Sequence, residues 1–229
     1  MNHGEKLSAS EVGGAVLSKM AGVTAEAHAS GVYTFECKGP REELRGEYTK
    51  LMQAMTAFEQ AGNEIEAIRL RALMEPMEEV KWTDTVNNLV TTLGANLALD
   101  TILAGSAYTA ACFIGLINTN ASAAAIGDTM ASHAGWLEVG AANAPAYTAP
   151  RKTPSWSAAA SKSKASSSIS AFAFTSGGTV GGCFLVFGSG AVSTIDSTAG
   201  VLYSAGAFTG GSKTVATSDS LTVTYTASM

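Results

Sequence analysis

Ser220-Leu-Thr-Val-Thr-Tyr-Thr226, close to the C-terminus, is the stretch whose reading decides the fold. Leu221, Val223 and Tyr225 alternate with Thr222, Thr224 and Thr226, the two-residue period of a strand with one face on a core and the other turned outward. Upstream of it, short apolar segments at 110–117, 135–139, 168–174, 182–187 and 200–208 are separated by Gly/Ser turn chemistry. Short strands at such spacing predict an antiparallel β-sandwich or jelly-roll-like module. No tandem repeat of fixed period runs through them.

The module is also poor in charge. Residues 85–229 hold five acids and five bases, whereas the segment before them holds fourteen acids and nine bases. A body with enough Val, Ile, Leu and Phe to fold but so few ionisable groups predicts a surface placed against neighbouring protein. The net charge of -5 and a pI near 5.2, with no basic run longer than Arg151-Lys152, argue against direct nucleic-acid binding.

Working towards the N-terminus, Val32-Tyr-Thr-Phe-Glu-Cys37 has the β-branched and aromatic content of a strand, bounded by Gly31 and Gly39-Pro40. Residues 79–85 alternate in the same way, and the simplest topology pairs the two segments antiparallel. Between them the pattern changes period. Leu44, Tyr48, Leu51, Met55 and Phe58 recur at spacings of four and three, followed beyond Gly62-Asn63 by Ile65, Ile68 and Ala72. This predicts an amphipathic helical hairpin over 41–75, with Glu42, Glu43 and Glu47 facing outward and Pro76 ending the second helix. A second apolar stripe, Leu89, Val90, Leu93, Leu97 and Ile102, predicts a packing helix within 87–105, with Gly94 tolerated inside it. Residues 1–30, rich in Gly, Ala and Ser, read as an N-terminal arm that orders on contact. The fold class expected is therefore α+β: an arm over 1–30 and one sandwich-like domain over 31–229, with the hairpin inserted in a strand connection.

Chemistry is harder to find. Asp128, Ser132 and His133 fall close together in Gly127-Asp-Thr-Met-Ala-Ser-His-Ala-Gly-Trp136, but no nucleophile-elbow pattern accompanies them, and the expectation is a loop whose side chains satisfy local backbone groups. No His pair stands at metal-ligating spacing, so no metal or cofactor is expected. The pairs Gly177-Gly178, Gly181-Gly182 and Gly210-Gly211 read as turns. Cys37, Cys112 and Cys183 are odd in number and widely spaced, and are expected to be buried thiols. The N-terminal residues lack the apolar core of a signal peptide and no stretch is long enough to span a bilayer, so synthesis in a cytoplasm without general export or membrane contact is expected. Trp82, Trp136 and Trp156 are expected as core or interface anchors in preference to a sugar-stacking platform. Candidate interface residues are thus Leu44, Leu51, Met55 and Phe58 on the hairpin, with Trp136 and Trp156.

Particular strings go further than composition. Val32-Tyr-Thr-Phe-Glu-Cys37, Val80-Lys-Trp-Thr-Asp-Thr-Val-Asn-Asn-Leu-Val-Thr-Thr92, the Gly127 to Trp136 string with Glu138, and Ser218-Asp-Ser-Leu-Thr-Val-Thr-Tyr225 together resemble tailed-bacteriophage virion proteins of the capsid decoration, or cement, type. Tyr147 with Arg151 and Pro154 is similar to that family's Tyr-x-x-x-Arg-Pro stretch with Lys152 and Thr153 inserted. Gly200-Val-Leu-Tyr-Ser-Ala-Gly206 continues the likeness. The hairpin departs from the shorter turn usual there. The resemblance implies a non-enzymatic protein on the outer surface of a phage head, with the major capsid protein as partner and a homo-oligomer, favoured as a trimer, as its working form. Alternatives of other classes are a tail or fibre attachment component and a carbohydrate-binding module of the virion.

Overall fold

The computed structural model describes residues 30–103, 111–118, 124–168 and 171–228. The expected arm, except Ser30, lies outside them. Thirteen strands and three α-helices follow in the order β1 (Ser30–Pro40), α1 (Arg45–Gln60), α2 (Glu64–Met74), β2 (Glu78–Asn87), β3 (Leu89–Val90), α3 (Thr92–Leu103) and β4 (Cys112–Ile117). Then come β5 (Glu138–Val139), β6 (Ser155–Trp156), β7 (Ser163–Ser168), β8 (Phe172–Ala173), β9 (Gly178–Val180), β10 (Gly182–Phe187), β11 (Val201–Ala207), β12 (Lys213–Val215) and β13 (Ser220–Ser228). The chain is a mixed α+β protein built on antiparallel sheets in a sandwich-like arrangement.

One sheet runs β2-β1-β13-β7-β6, with β8 also on β13. Its centre is the pairing of β1 with β13, in which Tyr33, Phe35 and Cys37 stand opposite Tyr225, Val223 and Leu221. All six side chains are buried. The expected alternation in β13 and the expected pairing of the first strand with the segment before Asn87 are both present, with Cys37 opposite Trp82 and Val32 opposite Asn87.

The second sheet runs β3-β11-β10-β4-β5. Ile114, Leu116, Cys183 and Leu185 point from it into the same core as the inward face of the first sheet. Its other face is covered too: Ile117, Phe184, Val186 and Leu202 pack with Met130, Trp136 and Ala191 from connecting loops. Burial on both faces explains why β4 and β10 read as continuous apolar runs where β13 alternates. Cys37, Cys112 and Cys183 are all buried and free. The remaining ribbon, β9 with β12, is two-stranded.

Three expectations need correction. Leu89 and Val90 are not helical; they form β3 against Ala205 and Ser204. Helix α3 starts beyond them because Thr91, fully buried, accepts the Gly94 N–H at 3.0 Å through its hydroxyl and donates that hydroxyl to the Leu202 carbonyl. Its inward face is Gly94, Ala95, Leu97 and Ala98, while Leu93 is exposed. In the hairpin, α1 faces α2 through Tyr48 and Met55 as expected, but α2 answers with Ala67, Leu70 and Met74. Ile65 and Ile68 are 79% and 68% exposed. The two stripes of α2 share one spacing, so periodicity cannot choose between them; the chain's delivery into β2 through the buried Met74 and Met77 does. Finally, the strand expected at 135–139 shortens to β5, since Trp136 belongs to the preceding loop; of the one expected at 168–174, Ser168 ends β7 and Phe172–Ala173 form β8, while 169–170 lie outside the described residues.

Candidate interaction surface

The hairpin has its own small core. Tyr48, Met55, Ala67, Met74 and Met77 are buried together, with Leu44, Leu51, Met52 and Leu70 packed around them. Of the hairpin residues taken as interface candidates, Met55 is therefore interior and Leu44 and Leu51 are half-buried within the hairpin; only Phe58, at the far end of α1, is exposed. Asn63 caps α2 by accepting the Glu66 N–H, and Gly62 takes a φ of +72° in the turn between the helices.

Attachment of the hairpin to the sandwich is polar. Arg45 donates Nη1 to the Thr217 carbonyl at 2.8 Å and Nε to Glu42 at 3.0 Å. The same Nη1 lies 3.6 Å from the buried carboxylate of Asp219, and Lys81 Nζ lies 3.8 Å from the same oxygen. Asp219 turns its second oxygen to the Ala216 N–H at 2.9 Å. The site is crowded: a Cβ on Gly39 would fall 2.0 Å from Asp219 Oδ1. Burial pushes the neighbouring Cys37 thiol up to about 12, with the Asp219 charge adding to the effect. Tyr48 donates to Glu78 at 2.5 Å, and burial followed by that bond raises its phenol above the ordinary range. A cleft of about 990 Å³ opens between Tyr48, Met52 and Thr56 of α1 and Phe174 and Thr175 of the body.

The outer face of the hairpin is apolar where solvent would be expected. Ile65, Ile68, Ala72 and Leu73 are all exposed on α2, with Phe58 nearby in the chain's hairpin. The sequence conceals this face because the spacing of Ile65, Ile68 and Ala72 matches the stripe of α1 and predicts them inside the hairpin. The signal that could have found it is the second stripe, Ala67, Leu70 and Met74: a helix with two apolar stripes has one more than a hairpin partner can cover.

The string Gly127 to Trp136 folds into the locally satisfied loop expected of it. Asp128 accepts from Trp136 Nε1 at 3.2 Å and from the Ala125 N–H at 3.0 Å, and Thr129 Oγ1 accepts the N–H groups of Ala131 and Ser132. His133 stacks on the Trp136 ring at 3.8 Å between centroids and its Nδ1 meets the Trp136 carbonyl. Trp136 itself is 1% exposed, sandwiched against Phe184, which corrects its place among the interface candidates. Its indole is needed to close the second sheet's outer face.

Beside this loop lies a buried ion pair that the sequence does not reveal as such. Arg151 Nε and Nη2 reach Glu138 Oε1 and Oε2 at 2.8 and 2.6 Å, with both side chains almost fully buried. Arg151 also donates to the carbonyls of Val192 and Ser197, and the Asp196 N–H donates to Glu138, so every charge-bearing edge is occupied. The pair ties β5 to the loop between β10 and β11. Such a pair contributes to orientation more than to net stability, because desolvation of both ions offsets much of their attraction.

Like the partly buried Trp82, Trp156 keeps a surface face. It is half-buried and, with Phe187, Tyr203, Tyr225 and Leu97, lines an apolar depression of about 490 Å³ beneath α3. Among the described residues no group of three or more His, Cys, Asp and Glu side chains is placed to hold a metal ion, and no helix is long and apolar enough to cross a membrane. No family model matches the chain, and no curated protein or solved structure is significantly similar to it.

Proposed function

We propose that the protein is a non-enzymatic structural component of a phage virion: a decoration, or cement, protein on the outer surface of the head, holding contacts between major capsid subunits. One observation carries this reading. The hairpin inserted between β1 and β2 exposes Ile65, Ile68 and Leu73 on a helix whose opposite face is already buried, while the chain's internal charges are engaged with one another. An apolar face of this kind is what a protein held against neighbours needs and what a free monomer would avoid. The resemblance of the Gly127 to Trp136 and Ser218 to Tyr225 strings to virion decoration proteins points the same way.

The working form in this reading is a homo-oligomer, a trimer matching local threefold positions, assembled on the shell in the host cytoplasm. Closed symmetry multiplies contacts that are weak singly. The body is read as jelly-roll-like, since the chain passes between the two sheets at β2 to β3, β5 to β6, β8 to β10 and β11 to β13. No nucleic-acid, membrane or cofactor contact is part of the proposal.

Shells stripped of this protein are expected to lose resistance to heat or low salt and to regain it when the protein is added back. Unchanged shell stability would overturn the assignment. A few copies per virion in place of hundreds would move it to a tail or fibre attachment point. The aromatic depression at Trp156 favours a second reading, a glycan-binding module, for which a glycan array with wild type and Trp156→Ala is the discriminating measurement.

A further inference from the structure

The geometry points to a second copy of this chain as the occupant of the outer face of α2, docked helix against helix in antiparallel register about a twofold axis. Ile65, Ile68 and Ala72 are spaced three and four apart and all lie on the exposed side of α2, opposite the buried Ala67 and Met74 and the half-buried Leu70. That is the a/d seam of a short coiled-coil contact. In this register Ile68 sits next to the axis and meets its own copy, while Ile65 meets Ala72 of the other chain, whose small side chain makes room for it.

Charge complementarity selects a second copy and its direction. Along one flank of the seam stand Glu64 and Arg71, seven residues apart and therefore at equivalent heptad positions. Arg71 Nη2 already reaches Glu59 of α1 at 3.3 Å in an exposed pair, and antiparallel pairing brings Glu64 of the other copy to the remaining N–H groups of the same guanidinium, an arrangement the twofold repeats. On the other flank Arg69 would face its own copy, but each Arg69 carries Glu66 of its own helix at 3.8 Å. Antiparallel helices also set their dipoles in opposition, which a parallel pair would not. Acid at the start of α2 and base towards its end make the surface complementary to itself, as an isologous contact requires.

A seam of one short helix falls well below the roughly 1,200 Å² buried by stable specific interfaces. The contact is therefore weak for two free chains and gains strength only by repetition on an array. Its role in linking neighbouring decorations rests on the function proposed above, but the contact itself is tested without shells, so either can fail alone.

The test is site-directed disulfide formation in the full chain under mild oxidation, where buried Cys37, Cys112 and Cys183 give little background. Ile68→Cys is expected to form dimers about tenfold or more faster than Ala159→Cys, a variant in an exposed loop outside the hairpin. Ile65→Cys mixed with Ala72→Cys is expected to give the mixed dimer, while each alone couples no faster than the loop control. Adding Glu64→Arg to Ile68→Cys should slow coupling, and adding Arg71→Glu as well should restore it. Equal rates for Ile68→Cys and the loop control would overturn the contact. Rapid self-coupling of Ile65→Cys would overturn its antiparallel register, and failure of the double charge reversal to rescue would remove the ion pairs from it.

Discussion

Gly94 and Gly46 both sit in the first turn of a helix, and in the sequence they look alike. In a free helix either would be improved by alanine, which is favoured over glycine by about 1 kcal/mol. Their surroundings separate them. A Cβ on Gly46 meets nothing within 4 Å, whereas one on Gly94 would lie 2.5 Å from the Tyr203 carbonyl oxygen and 2.8 Å from Tyr203 Cα. The obstacle is backbone of β11, a strand paired on both sides, which cannot rotate away, so α3 itself must lift. Gly46→Ala is accordingly expected to be neutral or stabilising by up to about 1 kcal/mol. Gly94→Ala should cost about 1–3 kcal/mol despite its better propensity. Urea unfolding followed by circular dichroism checks both, and a Gly94→Ala protein as stable as wild type would show that α3 does not press on β11. Reading Gly94 as a tolerated interruption follows from helix periodicity alone; the close approach that requires glycine belongs to a contact more than a hundred residues away in the chain. Arg151 was opaque for the same reason: as a residue it is a surface base, and only the fold places Glu138 opposite it.

At the scale of elements, what was legible is what alternates or recurs with apolar residues. Strands β1, β2, β11 and β13, both hairpin helices and the pairing of β1 with β2 could be read because their side chains report a buried face, and β4 and β10 because burial on both faces leaves a continuous apolar run. β7, written Ser163-Lys-Ala-Ser-Ser-Ser168, could not, since a strand held by backbone pairing to β13 needs no apolar alternation. β9 and β12 are too short to show a period. The hairpin illustrates the opposite case, a pattern with too much information: α2 carries two stripes of the same spacing, and choosing the inner one required knowing where Met74 and Met77 must go. Because the hairpin core is separate from the sandwich core, the element should be dispensable for folding. β1 and β2 remain paired to their ends, with Pro40 opposite Glu78, so replacing residues 41–77 by Asn-Gly joins a closed register with a two-residue turn. The shortened chain is expected to keep its near-ultraviolet circular dichroism and a cooperative transition while losing most helical signal. It should be modestly less stable, since Asp219 keeps Lys81 but loses Arg45 and Glu78 loses Tyr48. Loss of the cooperative transition would place the hairpin in the folding core.

For the whole molecule, the scarcity of charge in the β body has a counterpart in its neutral acids. Burial raises the phenols of Tyr33, Tyr48, Tyr147, Tyr203 and Tyr225 and the thiols of Cys37, Cys112 and Cys183 above their ordinary ranges. In each case the folded chain favours the protonated form. The stability this represents is complete below the unfolded pKa and is lost as pH rises, because the unfolded chain then releases protons the folded chain retains. A fully buried group such as Tyr33 or Cys183 lowers unfolding free energy by about 1.4 kcal/mol per pH unit once its unfolded counterpart has ionised. Thiols open this window near pH 9 and phenols near pH 10. The urea midpoint is thus expected to be level through neutral pH, to decline above pH 9 and to fall steeply above pH 10. Tyrosinate absorbance should appear together with loss of circular dichroism, apart from Tyr108, which lies outside the described residues. Titration of several phenols in the ordinary range with the structure intact would mean that Tyr33 and Tyr225 do not pack between the sheets, and with them the pairing of β1 and β13 on which the sandwich is built would fall.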